Sequence, residues 1–233
     1  MSSRIGSLIA VALITASYET ASAQASLLGP GAVYIGGGVS SVATGKLDDR
    51  LAEHGYPTFG QRMGAVTLGG YRRLSSGIML GAELNGLIKG EKSHNGNDVG
   101  LGGGYGTLGI GYAMDLSRGA RFYPRLGIGA GGFGMWIERD DEPVAFDDVI
   151  DNPAPETETR HPVLSRDGLV ADLGAGLELH RGRSGPMIGL RFGYLAAPFN
   201  SHWDNYDRDV IDGPDASISG PYVRIVIGGA WKR

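Results

Sequence analysis

The stretch YVRIVIGGAW, Tyr222 to Trp231, alternates with a period of two. Val223, Ile225, Ile227 and Trp231 fall on one face, and Tyr222, Arg224 and Val226 on the other. A strand sends successive side chains to opposite faces, so this run reads as a β-strand with one aliphatic face and one face that carries a charge. The run before it repeats the pattern: Ile188, Leu190, Phe192 and Tyr194 oppose Met187, Gly189, Arg191 and Gly193. Further upstream Leu169, Ala171, Leu173, Ala175, Leu177 and Leu179 oppose Asp172, Gly174, Gly176 and Glu178. Phe122, Leu126, Ile128 and Ala130 oppose Tyr123, Arg125, Gly127 and Gly129, and Ile78, Leu80, Ala82, Leu84 and Ile88 oppose Met79, Gly81, Glu83 and Asn85.

Eight such runs cover about 31–41, 63–73, 77–88, 99–114, 121–137, 168–180, 186–197 and 220–231. The face pattern fits a soluble sandwich as well as a membrane barrel. The connections separate the two. After the second, fourth and sixth runs they are short and made of turn residues, such as Leu74-Ser75-Ser76 and Leu116-Ser117-Arg118-Gly119. After the first, third, fifth and seventh they run to about 20, 10, 30 and 22 residues. Strict alternation puts every long loop at one end and every tight turn at the other, as in outer-membrane barrels. Eight is even, so both termini lie at the tight-turn end.

Charge follows the same division. Glu138–Arg166 carries nine acids and three Arg, and Pro198–Ser219 carries five Asp and Arg208. The tight turns are basic, with Arg72, Arg73, Arg118, Arg121, Arg181 and Arg183. A net charge of −4 gives no basis for nucleic-acid binding. Forty-one glycines among 233 residues would ruin helices, and they fit the curvature and crowding of a narrow barrel. The absence of Cys excludes disulfides and thiolate metal sites. No apolar stretch is long enough for a transmembrane helix. Residues 1–23 read as a cleaved secretory signal: Arg4, an apolar core from Ile5 to Ala16, and an Ala21-Ser22-Ala23 cleavage site. Residues 24–233 then form one domain.

With these features the chain resembles the small eight-stranded outer-membrane proteins of Gram-negative bacteria, the OmpA-, OmpX- and OmpW-like barrels. The resemblance spans nearly all of the mature chain and includes the aromatic Trp231 in the last strand, here followed by Lys232 and Arg233. It implies an all-β fold: a single eight-stranded antiparallel up-and-down transmembrane β-barrel with short periplasmic turns and long extracellular loops. It also implies outer-membrane lipids and lipopolysaccharide as surroundings. The pattern specifies no oligomeric state.

The constellation that could carry a role is the set of charges with inward parity: Glu83, Arg125, Asp172, Glu178, Arg191 and Arg224. Lone charges at mid-membrane are costly, so these should pair. They would form a static interior network or gate a narrow pore; eight strands leave little more room than side chains fill, which favours the static network. No catalytic residues, metal ligands or cofactor are expected. The acidic stretches Asp204–Asp209 and Asp147–Asp151 are rich in oxygen ligands, but neither matches a calcium-loop pattern. They read as solvated loops that could contact an extracellular ligand. His54, His94, His161, His180 and His202 are scattered, His161 and His202 near Ser165 and Ser201, and no G-x-S-x-G or H-E-x-x-H motif occurs. Gly-x-Gly patterns lie inside strands with no following helix, which excludes phosphate loops. The expected function is therefore non-enzymatic: envelope integrity or surface contact, with a lumen mostly plugged by charged side chains and at most a narrow pore for small solutes. An outer-membrane enzyme acting on lipid A and a soluble lipocalin-like carrier are the alternatives. The carrier would require the aliphatic faces to point inward.

Overall fold

In chain order the strands are β1 (Gly31–Ser41), β2 (Arg62–Arg73), β3 (Ile78–His94), β4 (Asn97–Tyr112), β5 (Met114–Asp115), β6 (Ala120–Arg139), β7 (Val163–His180), β8 (Gly185–Asn200), β9 (Trp203–Asn205), β10 (Arg208–Val210) and β11 (Gly220–Trp231). A helix, α1 (Gly45–Glu53), lies between β1 and β2. These elements belong to a computed structural model that describes residues 30–94, 97–117, 119–139, 163–181, 184–200, 202–205 and 208–231. The signal sequence expected at 1–23, the acidic stretch Asp147–Asp151 and the ends Lys232 and Arg233 lie outside the described residues.

The eight long strands pair antiparallel in the order β1, β2, β3, β4, β6, β7, β8, β11, and β11 returns to β1, closing the sheet. Closure runs from Gly31 opposite Trp231 to Ser40 opposite Tyr222. A closed barrel has no free edge to leave backbone groups unpaired in lipid. The tight turns, at 74–77, 113–119 and 181–184, lie at the same end as Gly31 and Trp231. The strand ends that flank the long connections lie at the other end.

The faces follow the alternation of the sequence. Leu84, Leu108, Ile128, Leu173, Ile188 and Ile225 point out; Leu108 is 70% and Ile128 is 74% exposed. Their strand neighbours Glu83, Thr107, Asp172, Met187 and Arg224 are buried. This exposed aliphatic belt is the reverse of a soluble carrier, whose aliphatics would line the lumen. Tyr112 and Tyr194 also point out. Trp231 and Trp136 each sit opposite a glycine, Gly31 and Gly100, and a Cβ on either glycine would run into the indole. Tyr71 and Tyr222, by contrast, are buried inside.

Three features depart from the sequence reading. The third connection, expected at about ten residues, narrows to residues 95–96, because β3 and β4 stay paired as far as His94 opposite Asn97, past an irregularity between Lys89 and Lys92. The first and seventh connections are not simply solvated loops. They carry α1 and the β9–β10 hairpin, which fold over the long-loop mouth. Leu47 and Leu51 of α1, with Phe59, Trp203, Ala216 and Ile218, join strand residues Leu87, Val99, Leu101, Phe133, Met135 and Leu195 in one apolar cluster. Trp203 meets Phe133 edge to face at 5.4 Å and donates its indole N–H to the Pro214 carbonyl at 2.7 Å. Asp48 of α1 accepts from the backbone N–H groups of Phe59 and Gly60, and Ala43 pairs with Ser217 through two 2.9 Å backbone bonds. Finally Arg121, grouped by sequence with the basic turns, lies within β6 and is buried.

Candidate functional site: the charged barrel interior

Each of the six inward charges is held on its strand opposite a glycine of a neighbouring strand. Glu83 faces Gly69, Arg125 faces Gly111 and Gly174, Asp172 faces Gly127, Glu178 faces Gly189, Arg191 faces Gly176, and Arg224 faces Gly38. A long ionic side chain needs floor space in a narrow lumen, and a missing Cβ supplies it. Some of these glycines are also roofed by tyrosines. A Cβ on Gly69 would collide with Tyr34, and one on Gly176 with Tyr123.

Glu83 binds three guanidinium groups. Its Oε2 accepts from Arg125 at 2.7 Å and from Arg191, and its Oε1 accepts from Arg224 at 3.0 Å. Arg191 and Arg224 are direct cross-strand partners on β8 and β11. Like charges placed opposite repel, and Glu83, reaching across the barrel, takes one with each oxygen. Arg125 spans from Glu83 to Asp172, whose Oδ2 lies 2.6 Å away, and the other Asp172 oxygen accepts from the Tyr222 hydroxyl at 2.7 Å. The Arg191 guanidinium stacks 3.7 Å above the Tyr34 ring, and Arg224 lies 4.3 Å above that of Tyr222. Such stacking suits arginine in a poorly hydrated setting.

Toward the long-loop end, Arg224 also donates to Asn85 Oδ1 at 2.6 Å and to the Tyr105 hydroxyl. Tyr105 and Tyr222 belong to the apolar cluster as well, so the mouth cover rests directly on the network. Toward the tight-turn end, Glu178 accepts from the hydroxyls of Tyr71 at 2.5 Å and Tyr123 at 2.8 Å, and lies 3.5 Å from Arg191. Arg121 donates to the Tyr71 hydroxyl at 3.1 Å and to Asp115 at 3.0 Å. Asp115, at the turn, also takes Arg73 at 2.8 Å. Partial burial would push its carboxyl up, but the Arg73 and Arg121 bonds outweigh this and hold it below the ordinary range.

Three carboxylates and three guanidinium groups thus meet in one connected, charge-balanced network. All six residues named from the sequence lie in it. Sequence reasoning missed the tyrosines: Tyr34, Tyr71, Tyr105, Tyr123 and Tyr222 share the inward parity and provide most of the hydroxyl donors. Their parity was readable. Their partners were not, because these lie across the lumen.

The histidines lie apart from one another along the chain. His54 Nδ1 lies against the Arg50 carbonyl on α1, His180 sits by Glu178 at the tight-turn end, and His202 is exposed. His161 and Ser201 lie outside the described residues. No group of three or more His, Asp or Glu placed to hold a metal occurs among the described residues.

No protein-family model matches the chain, and no curated protein matches its sequence. Among solved structures the chain is similar to Ail, the attachment invasion locus protein of Yersinia pestis: 12% identity, 87% of this chain and 97% of that one, TM-score 0.47. Ail in complex with the heparin analogue sucrose octasulfate aligns with the same coverage and a TM-score of 0.48. The translocator domain of the autotransporter NalP from Neisseria meningitidis aligns at 10% identity over 96% of this chain and 99% of that one, with a TM-score of 0.34. The sheet closure, the exposed aliphatic belt and the division of turns from long connections are this chain's own, and by them it is an eight-stranded antiparallel barrel of the outer-membrane type.

Proposed function

We propose that this protein is a non-enzymatic integral barrel of a Gram-negative outer membrane, exported by the signal at residues 1–23, whose role is structural or one of surface contact and whose lumen is closed to solutes. The observation that carries this reading is the stacking of two seals. The balanced network about Glu83 crosses the lumen, and the apolar cover of α1 and the β9–β10 hairpin sits above it. An ion entering such a lumen would have to separate buried ion pairs, each already bonded to hydroxyls or amides. In this reading Glu83, Arg125, Asp172, Glu178, Arg191 and Arg224 are a structural core rather than a gate.

The belt of exposed aliphatics then meets lipid and lipopolysaccharide acyl chains, and the acidic extracellular connections are the parts placed to meet a partner outside the cell. Recordings in planar bilayers test the closed lumen. The reading predicts silent traces from protein shown to be inserted; stepwise conductance would contradict it. Unchanged lipid A by mass spectrometry, in membranes with and without the protein, is the matching expectation for the absence of catalysis.

A further inference from the structure

Arg72 and Arg73 are neighbours at the tight-turn end of β2, and successive strand residues face opposite ways. Arg73 pairs with Asp115 at 2.8 Å, and Arg121 takes the other oxygen of that carboxylate at 3.0 Å. Arg72 shares the outward parity of Val66 and Leu68 and is exposed. It forms no ion pair with a carboxylate among the described residues. Its cross-strand partners are Gly31 of β1 and Leu80 of β3, and Leu80 belongs to the exposed aliphatic belt. Two aromatic rings bracket this position. Trp231 of β11 lies over Gly31, where a Cβ would come within 2.9 Å of the indole Cζ2. Tyr112 of β4 points outward and lies against Gly77 of the β2–β3 turn, where a Cβ would come within 3.2 Å of the ring. Between the rings the same turn exposes Ser75 and Ser76.

We propose that Arg72, between Trp231 and Tyr112, is a headgroup site for an anionic phospholipid of the leaflet that meets the tight turns. The site rests on the membrane reading above. A guanidinium pairs strongly with a phosphate. An arginine at the margin of an aliphatic belt lays its stem along apolar neighbours, here Leu80, and holds its head in the polar layer. Indole and phenol rings favour the same layer. A lipid whose chains lie on the belt therefore brings its phosphate to the level of Arg72, where Ser75 and Ser76 add hydroxyl donors. A zwitterionic headgroup carries its own cation beside the phosphate. A net-anionic headgroup does not, so the guanidinium favours the anionic lipid. A soluble phosphate ester lacks the chains and gains nothing from the belt or the rings.

Lipid retention tests it. The barrel is inserted into bilayers of equal phosphatidylglycerol and phosphatidylcholine, released, and weighed with its bound lipids by native mass spectrometry. Retained phosphatidylglycerol is expected to exceed phosphatidylcholine by roughly fivefold, the preference of one basic side chain for an anionic lipid surface. Arg72→Gln removes the preference, and Arg50→Gln, on α1 at the other end, keeps it. An R72Q barrel that retains phosphatidylglycerol as the unmodified protein does overturns the site. So does displacement of the retained lipid by soluble glycerol phosphate, which would make the site one for a free phosphate ester. Should R72Q fail to insert, the unmodified protein decides: a headgroup spin label on phosphatidylglycerol broadens the Ser75 and Ser76 amide signals more than the same label on phosphatidylcholine, and equal broadening overturns the site. An inserted barrel without the preference contradicts this site alone, whereas a protein that enters no bilayer contradicts the membrane reading and the site with it.

Discussion

Glu83 shows how one side chain organises a lumen. Three guanidinium groups converge on its two oxygens, and Tyr34 and Asn85 complete its shell at 3.0 and 3.3 Å. Removing the negative charge leaves Arg125 with Asp172, but leaves Arg191 and Arg224 facing each other with less to hold them. Breaking a buried ion pair by deleting one partner costs about 3–5 kcal/mol. Glu83→Gln is therefore predicted to destabilise the folded barrel by about that amount, read from urea midpoints in a fixed detergent. An unchanged midpoint would mean that water already solvates these charges individually. This residue also marks how far the sequence could be read. Its inward parity followed from Leu84 and Ala82 on either side. That Arg125, Arg191 and Arg224 meet it did not, because cross-lumen pairing depends on the stagger of strands around the barrel, which no local pattern encodes.

At the scale of elements, the strands were legible and the mouth cover was not. The strands carry long period-two patterns, with aliphatic and polar or small residues clearly divided. Helix α1 has only Leu47 and Leu51 as its buried pair and no side-chain N-cap bond, so its nine residues cannot be told from a polar loop by periodicity. Its reason to fold is tertiary: Leu47 and Leu51 join an apolar cluster supplied by residues from strands around the barrel, Met63, Leu87, Leu101, Phe133 and Leu195 among them. The β9–β10 hairpin is the same case, with Trp203 as its anchor inside an acidic segment that looks solvated. Elements held by so few contacts open before the barrel does. Leu51→Asp, which places a charge in the apolar cluster, is predicted to abolish hydrogen-exchange protection of the α1 amides while the amides of β3 and β4 stay protected. Joint loss of both would show that the cover and the barrel fold as one unit.

For the whole molecule, the interior and exterior reverse the order of a soluble protein, and two alternations produce the reversal. The alternation of side chains along each strand divides aliphatic from polar faces, and the alternation of short and long connections gives the barrel two unlike ends. The glycines serve the same geometry, giving interior charges room and letting strands approach closely. The central claim is that lipid bathes the aliphatic face, and a nitroxide scan along β11 tests it most directly, because the chain has no native cysteine to replace. Single cysteines at positions 222, 223, 225, 226 and 227 would be spin-labelled in protein refolded into bilayers. The account predicts high accessibility to membrane-dissolved oxygen at 223, 225 and 227, and low accessibility at 222 and 226. Accessibility without a period of two, or highest at 222 and 226, would contradict it.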